Sequence, residues 1–418
     1  MINTLNKVTS IFKELSIDYI LLSRLQHEKS GDIDIKVDSK RFSRKNFNSK
    51  LEEKSLKILL SKKGIANNIV YSLYDLDENQ TLRLDLYNRV YLTSGKTLPY
   101  MYYLNINYLD YRDKTRVNNL NNGAKKLHYV LRKILKKDFS LETKLRLNKL
   151  KRFKVPEGSP ISNSFIDSLI DNYNQGSHFE LVDYLRHKRF YKKTNKLLNA
   201  LNFIKNKFNP NSTSIKHISI IGPDGCGKST LLELVEKEII YIYGKCKYIH
   251  LRPTLVPSMR GLKAKVSKRT QEIPKPHESK NYNTFFSHIK FFILYIDYLF
   301  GYFKIKLYML LGYYVISDRY FYDIIVDPKR FNIIKTHKYQ KFLIKYFLPR
   351  PSITLFLWAP AEIISGRKKD LTLPEIKRQL IEYSKLMLEF PEIKKINSSI
   401  SPNEVFQKVK KVLFWHRG

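Results

Sequence analysis

The sequence predicts an α/β protein. Its C-terminal half reads as a five-stranded parallel sheet flanked by helices, preceded by an α+β region and a basic helical segment. Three observations predict this. Apolar runs begin near 217 (HISII), 247 (KYIHL), 313 (YYVIS), 353 (ITLFLW) and 393 (IKKIN), and helical patterns separate them. The first run leads into Gly222-Pro-Asp-Gly-Cys-Gly-Lys-Ser-Thr230, a glycine-rich turn followed by Leu231, Leu234, Val235 and Ile239 at helical spacing. Upstream, residues 32–37 and 82–87 alternate polar and apolar in the period of two of a half-buried strand.

The chain has 418 residues, enough for two or three domains that each bury a core. Hydrophobic residues make up 43%, which excludes a disordered chain. The start runs straight into an amphipathic helix without the apolar run of a signal peptide, so a cytoplasmic location is expected. Cys226 and Cys246 are the only cysteines, and Cys226 lies in the glycine-rich turn, which argues against a structural disulfide. The net charge of +38 points to anionic partners: nucleotides, nucleic acid or an anionic membrane surface. General lysine enrichment explains the same number, because lysine is abundant everywhere in the chain.

Three sections follow: 1–115 with mixed elements, 116–213 mostly helical, and 214–418 alternating strand and helix. In the first, Asp32 and Asp34 share one face of a strand whose other face carries Ile33, Ile35 and Val37. Two carboxylates so placed suit a divalent metal, and Asp85, alternating with Leu82, Leu84 and Leu86, supplies a third. This pattern resembles the nucleotidyltransferase superfamily that includes DNA polymerase β, over about residues 5–115. The family's Gly-Ser pair is replaced here by Leu22-Ser23-Arg24, so both an active and a degenerate binding domain stay open.

The middle section carries Leu127, Val130, Leu131, Ile134 and Leu135 on one helical face. Lys125, Lys126, Arg132, Lys133, Lys136 and Lys137 lie mostly on the other, as a solvated or polyanion-binding face. His178 and His187 are expected to be solvated. Phe208-Asn-Pro-Asn-Ser-Thr213 reads as the linker into the last section.

In the last section the turn matches G-x-x-x-x-G-K-[ST], the P-loop. Its glycines let backbone N–H groups curl around phosphates, Lys228 reaches the β/γ-phosphates, Ser229 can ligate Mg²⁺, and the following helix offers its positive end. The motif residues Gly222, Pro223, Asp224, Gly225, Cys226, Gly227, Lys228, Ser229 and Thr230 are the candidate ATP site. In parallel α/β sheets ligands bind beyond the carboxyl ends of the strands, where Gly222, Arg252 and Asp318 stand. Asp318 can hold a Mg²⁺ water shell or orient an acceptor, and Arg319 can clamp a phosphate. The stretch Phe291–Phe303 is strongly apolar but too short to span a bilayer. It reads as a buried helix, with interfacial contact or a homodimer face in 284–312 left open.

With Asp318-Arg-Tyr320 placed after this P-loop, and with Leu355-Phe-Leu-Trp-Ala-Pro-Ala-Glu362 and Arg367-Lys-Lys-Asp370 downstream, residues 214–418 resemble the thymidylate kinase branch of nucleoside monophosphate kinases. The resemblance implies that Lys228 and Ser229 hold ATP and Mg²⁺ and that Asp224 approaches the acceptor's sugar. It implies that Arg252, Arg319 and Tyr320 contact the acceptor, and that Arg367, with Lys368, covers the transferring group from a short lid. Asp323, Asp327 and Arg330 either support these groups or serve as caps and surface pairs. The family's Arg-Glu-Pro-Gly segment is reduced here to Arg252-Pro253, and 254–312 has no recognisable counterpart. A looser resemblance is to thymidylate kinase-like proteins associated with surface-polysaccharide synthesis. The expectation is an ATP- and Mg²⁺-dependent phosphotransferase acting on a nucleoside monophosphate or related small phosphorylated acceptor. A second, nucleotidyltransferase activity is open at the N-terminus. A nucleic-acid end-processing kinase and a non-catalytic NTP-binding regulator are the alternatives.

Overall fold

The computed structural model describes residues 2–22, 33–38, 41–63, 69–87, 91–92, 100–103, 108, 111–113, 119–188, 191–193, 215–250, 284–331, 333–334, 337–368 and 370–415. Asp32, Arg252, Ser23, Arg24, the 208–213 linker and most of the acceptor stretch that follows Pro253 lie outside the described residues. The chain divides into two compact units, Met1–Ser212 and Thr213–Gly418, so the basic helical section belongs to the same unit as the N-terminal strands.

The first unit opens with α1 (Ile2–Glu14), β1 (Tyr19–Leu21), β2 (Ile33–Val37) and α2 (Arg44–Glu53). β3 (Leu56–Lys63), β4 (Ile69–Asp75) and β5 (Gln80–Tyr87) complete a mixed sheet of order β1-β2-β5-β4-β3. Only β2 and β5 run parallel. The expected alternation decides what each face meets. Ile33, Ile35, Val37, Leu82, Leu84 and Leu86 pack with Val8, Ile11 and Phe12 of α1 and Phe47 of α2. β6 (Tyr91–Leu92), β7 (Tyr100–Tyr103) and β8 (Tyr191–Lys193) form a small second sheet. Between β7 and β8 lie α3 (Asn122–Leu135), α4 (Leu141–Lys151), α5 (Asn163–Asp171) and α6 (Ser177–His187), whose core joins Ile20 and Leu22.

The predicted apolar face of α3 is buried: Leu127, Val130, Leu131, Ile134 and Leu135 are fully covered. Two polar residues depart from expectation. Lys126 is buried rather than solvated, because its ammonium is paired with Asp167 at 2.6 Å and donates to the Phe153 carbonyl at 2.8 Å. His178 is buried in α6, and burial with the nearby Lys137 charge pushes its imidazole pKa down.

The second unit carries the five predicted strands: β9 (His217–Ile221), β10 (Cys246–His250), β11 (Tyr314–Asp318), β12 (Ile353–Trp358) and β13 (Ile393–Asn397). They form one parallel sheet of order β10-β11-β9-β12-β13. β9 lies at its centre and is buried throughout, as an apolar strand covered on both faces must be. Helices α7 (Lys228–Tyr243), α8 (Thr284–Leu310), α9 (Asp323–Val326), α10 (Lys338–Phe347), α11 (Ala361–Arg367), α12 (Leu373–Glu389) and α13 (Pro402–Trp415) supply the connections. Alternate residues of β11 show the two covered faces: Tyr314 stacks on Tyr243 of α7, while Val315 packs against Ile305 of α8. α8 is not the wholly buried helix expected from its composition. Phe291, Tyr295 and Tyr298 face inward, whereas Phe292, Ile293, Ile296, Phe300, Phe303 and Leu307 are exposed. No described helix is long and apolar enough to cross a membrane.

Under the central strand, His217 is fully buried and its Nε2 lies 2.8 Å from the Ser317 hydroxyl. Burial, aided by the Lys306 charge, lowers its pKa to about 3 from the ordinary 6.5. The unfolded chain therefore takes up this proton as pH falls below about 6.5 while the folded chain does not, so folding stability drops with falling pH. Wild type should lose up to about 1.4 kcal/mol more per pH unit than His217→Gln between about pH 6 and pH 4, read from urea unfolding midpoints.

Candidate active site at the P-loop

The site is assembled at the carboxyl edge of the parallel sheet, where β9 ends in the P-loop. Gly222, Gly225 and Gly227 all have positive φ (146°, 91° and 93°), which L side chains rarely adopt. Two of them also answer to close approach. A Cβ on Gly222 would lie 2.8 Å from the Leu357 carbonyl, and one on Gly225 would lie 2.9 Å from the Ile364 carbonyl and 3.1 Å from Lys368 Cβ. Gly227 caps α7, so the first N–H groups of that helix face the loop's mouth.

Lys228, the first residue of α7, is buried, with its ammonium 2.9 Å from the Gly222 carbonyl and 2.7 Å from that of Pro223. Burial pushes its pKa down. Asp224 sits 3.5 Å from Lys228 and is also ion-paired with Arg319 and Arg330. Burial opposes its charge, but the positive fields of Arg319, Lys228 and Arg330 win and hold its carboxyl far below the usual range. Cys226 is buried beside Lys228, and burial raises its thiol pKa. Ser229 and Thr230 are exposed on the first turn of α7.

Arg319 reaches this cluster from the neighbouring strand by an unusual backbone. Its φ of 71° is in the left-handed region, a strain of about 1–3 kcal/mol for a residue of this type. The turn is pinned where its N–H donates to the Ile220 carbonyl at 2.9 Å. The guanidinium then crosses to Asp224 and also meets Asp323 at 2.7 Å. Asp323 is fully buried and accepts from the Tyr383 hydroxyl at 2.9 Å. Arg330 bridges Asp224 and Asp327.

Asp318 ends β11 directly opposite His250, which ends β10. Its Oδ2 accepts from the Tyr248 hydroxyl at 2.9 Å and faces His250 Nδ1 at 2.9 Å. Burial raises the Asp318 carboxyl pKa, and the hydrogen bonds from His250 and Tyr248 more than offset it, leaving the pKa below its ordinary value. The other oxygen, Oδ1, is buried without a protein partner.

The predicted residues are therefore brought together in part. Lys228, Asp224, Arg319 and the P-loop glycines form one cluster. Asp318 flanks it from the adjoining strand. Arg367 ends α11 and is exposed, donating to the Ser398 carbonyl at 3.0 Å, and Lys368 pairs with Asp370 at 2.7 Å. Tyr320 is corrected outright. It is fully buried, donates to the Pro349 carbonyl, and packs edge-on against Tyr298, so it is a core residue and no acceptor contact. Sequence reasoning left Asp323 and Arg330 between supporting and capping roles, and both join the cluster. The i,i+4 spacing of Arg319 and Asp323 was the available signal. Tyr383 and Tyr248 had none, since the fold alone brings them in.

In the first unit, Asp34 and Asp85 stand opposite one another in the register of β2 and β5. A basic side chain shares their space. Arg132 of α3 is ion-paired with Asp34, and the Tyr87 hydroxyl donates to Asp34 at 3.1 Å and to Asp85 at 3.3 Å. A divalent cation would compete with a guanidinium already on Asp34, so these residues do not fit the expected metal. No group of three or more metal-ligating acids, histidines or cysteines occurs among the described residues.

No family model and no curated protein matches the sequence. Among solved structures, the chain is similar to thymidylate kinase from Ehrlichia chaffeensis, at 16% identity over 48% of this chain and 100% of that chain, with a TM-score of 0.35.

Two substitutions test these networks. Arg132→Ala strips the cation from buried Asp34 and should cost about 3 kcal/mol in urea unfolding. Asp323→Asn leaves the Arg319 guanidinium short of one buried carboxylate, and the same measurement should show a loss of about 3–5 kcal/mol.

Proposed function

We propose that residues 213–418 form an ATP-dependent phosphotransferase acting on a small acceptor. The observation that carries this reading is the convergence at one sheet edge of a P-loop with three positive-φ glycines, its buried Lys228, and Arg319 and Asp318 from the adjoining strand. A loop that only turned the chain would not need a buried lysine, two arginines and a carboxylate focused on the same point.

The roles follow from charge and position. Backbone N–H groups of the loop and the start of α7 receive the ATP phosphates, and Lys228 turns from its carbonyl contacts toward the β/γ-phosphates. The hydroxyl of Ser229 and the unpartnered oxygen of Asp318 form a hard oxygen donor set that fits Mg²⁺, which would neutralise phosphate charge. Arg319 and Arg330, fixed by Asp224, Asp323 and Asp327, stand ready to stabilise charge on the transferring group without reorganising. Arg367, at the end of α11, supplies a further positive charge if it leaves the Ser398 carbonyl. A nucleoside monophosphate or another small phosphorylated molecule is the acceptor that the sequence resemblance favours.

ADP release tests the reading, with nucleoside monophosphates, nucleosides, sugars, polyols and sugar phosphates offered in turn to the whole protein with Mg·ATP. Turnover with at least one acceptor is expected, with a fall of 100-fold or more in Lys228→Ala, on the order seen when a charge-stabilising group is removed. Turnover that is unchanged in Lys228→Ala, or absent with every acceptor, overturns it.

A further inference from the structure

We infer that His250 and Asp318 form a proton-accepting dyad, and that the atom this protein phosphorylates is a hydroxyl oxygen rather than a phosphate oxygen. The inference rests on the phosphotransferase reading above and specifies its acceptor.

The geometry defines the dyad. His250 Nδ1 lies 2.9 Å from Asp318 Oδ2. An ionised carboxylate only accepts, so Nδ1 carries the hydrogen and Nε2 keeps its lone pair. Tyr248 donates to the same oxygen, which fixes the carboxylate's orientation from a second direction. The acid is buried while the imidazole side chain is 64% exposed, so the basic nitrogen is open to a ligand. This is a buried carboxylate, an oriented imidazole and an accessible Nε2, arranged as a base is oriented in hydrolytic triads.

Placement links the dyad to the P-loop. His250, Asp318 and Ile220 occupy one row across three adjacent parallel strands. Strands about 4.8 Å apart put His250 about 10 Å from the strand that feeds the P-loop, on the side away from α11 and its lid candidate. That is the span of a small acceptor lying across the sheet edge. Asp318 also presents its second oxygen, buried and without a protein partner, toward this edge.

Chemistry decides the acceptor class. A phosphate monoester loses its second proton near pH 6 and is already nucleophilic at neutral pH. It has no proton for a base to remove, and a His–Asp pair would serve it nothing. A hydroxyl holds its proton far above neutral pH and gains from a base at the moment of attack. In the step inferred, the acceptor oxygen bonds to the γ-phosphorus of ATP as Nε2 of His250 takes the hydroxyl proton. The bond from γ-phosphorus to the β,γ-bridging oxygen breaks, and its electron pair leaves with ADP. Asp318 stabilises the imidazolium, which then returns its proton to solvent.

The linkage formed in the product tests this directly. The whole protein with Mg·ATP is offered nucleosides, hexoses and polyols, and the monophosphates of each, and the products are read by phosphorus-31 NMR. A new phosphomonoester is expected. His250→Gln should lower acceptor kcat/KM by about 100- to 10,000-fold while the ATP Kd, from titration calorimetry, stays within threefold. Added imidazole should restore part of the rate to His250→Ala. A phosphoanhydride product, or full-rate phosphomonoester formation by His250→Gln, overturns the dyad. If Lys228→Ala abolishes that same turnover, the phosphotransferase reading survives. No ADP from any acceptor with wild type removes both.

Discussion

The C-terminal unit is organised around one carboxylate. Asp224 lies in the P-loop and holds Lys228, Arg319 and Arg330, which reach it from the loop's own helix, from the end of β11 and from the turn after α9. Without it, three cations would crowd at a buried point and repel one another. With it, their positions are fixed before any phosphate arrives. The strained backbone of Arg319 has its purpose here, because only a left-handed turn after Asp318 sends the guanidinium back across β9. Asp323 and Tyr383 then hold the far side of the same guanidinium, and the aromatic layer of Tyr298, Tyr320 and Phe321 fills the space beneath.

Much of this unit was legible in the sequence. Five apolar runs became the five strands, because a parallel sheet buried on both faces requires continuous apolar segments. The P-loop was legible for a different reason: the phosphate-cradling turn demands glycine at fixed offsets. What could not be read was distance across the fold. Tyr320 follows two charged residues that line the site, yet its own side chain turns into the core. His250 and Asp318 are far apart in the chain and meet only because β10 and β11 are neighbours in register. In the helical section, a charge-rich pattern could not reveal that Lys126 turns inward, since that depends on Asp167 and free carbonyls being present at the same depth.

The first unit illustrates how an acid pair can be read correctly as a pair and still change meaning. The alternation of β2 and β5 placed Asp34 and Asp85 side by side. The sequence pattern alone suggested a metal between them. The helix that covers this face carries Arg132 at the matching height, and a fixed guanidinium neutralises the carboxylate that burial would otherwise punish. Tyr87 ties the two acids together beneath it.

The contact at Gly225 has a consequence for how this protein can vary. Its missing Cβ leaves room for the Ile364 carbonyl and the Lys368 side chain of a segment remote in sequence. Any bulk added in the donor loop therefore shoves the end of α11, and any thickening of α11 presses on the donor loop. The two stretches cannot drift independently: related chains that change the volume at one must compensate at the other, and the pair should diversify as a single inherited block.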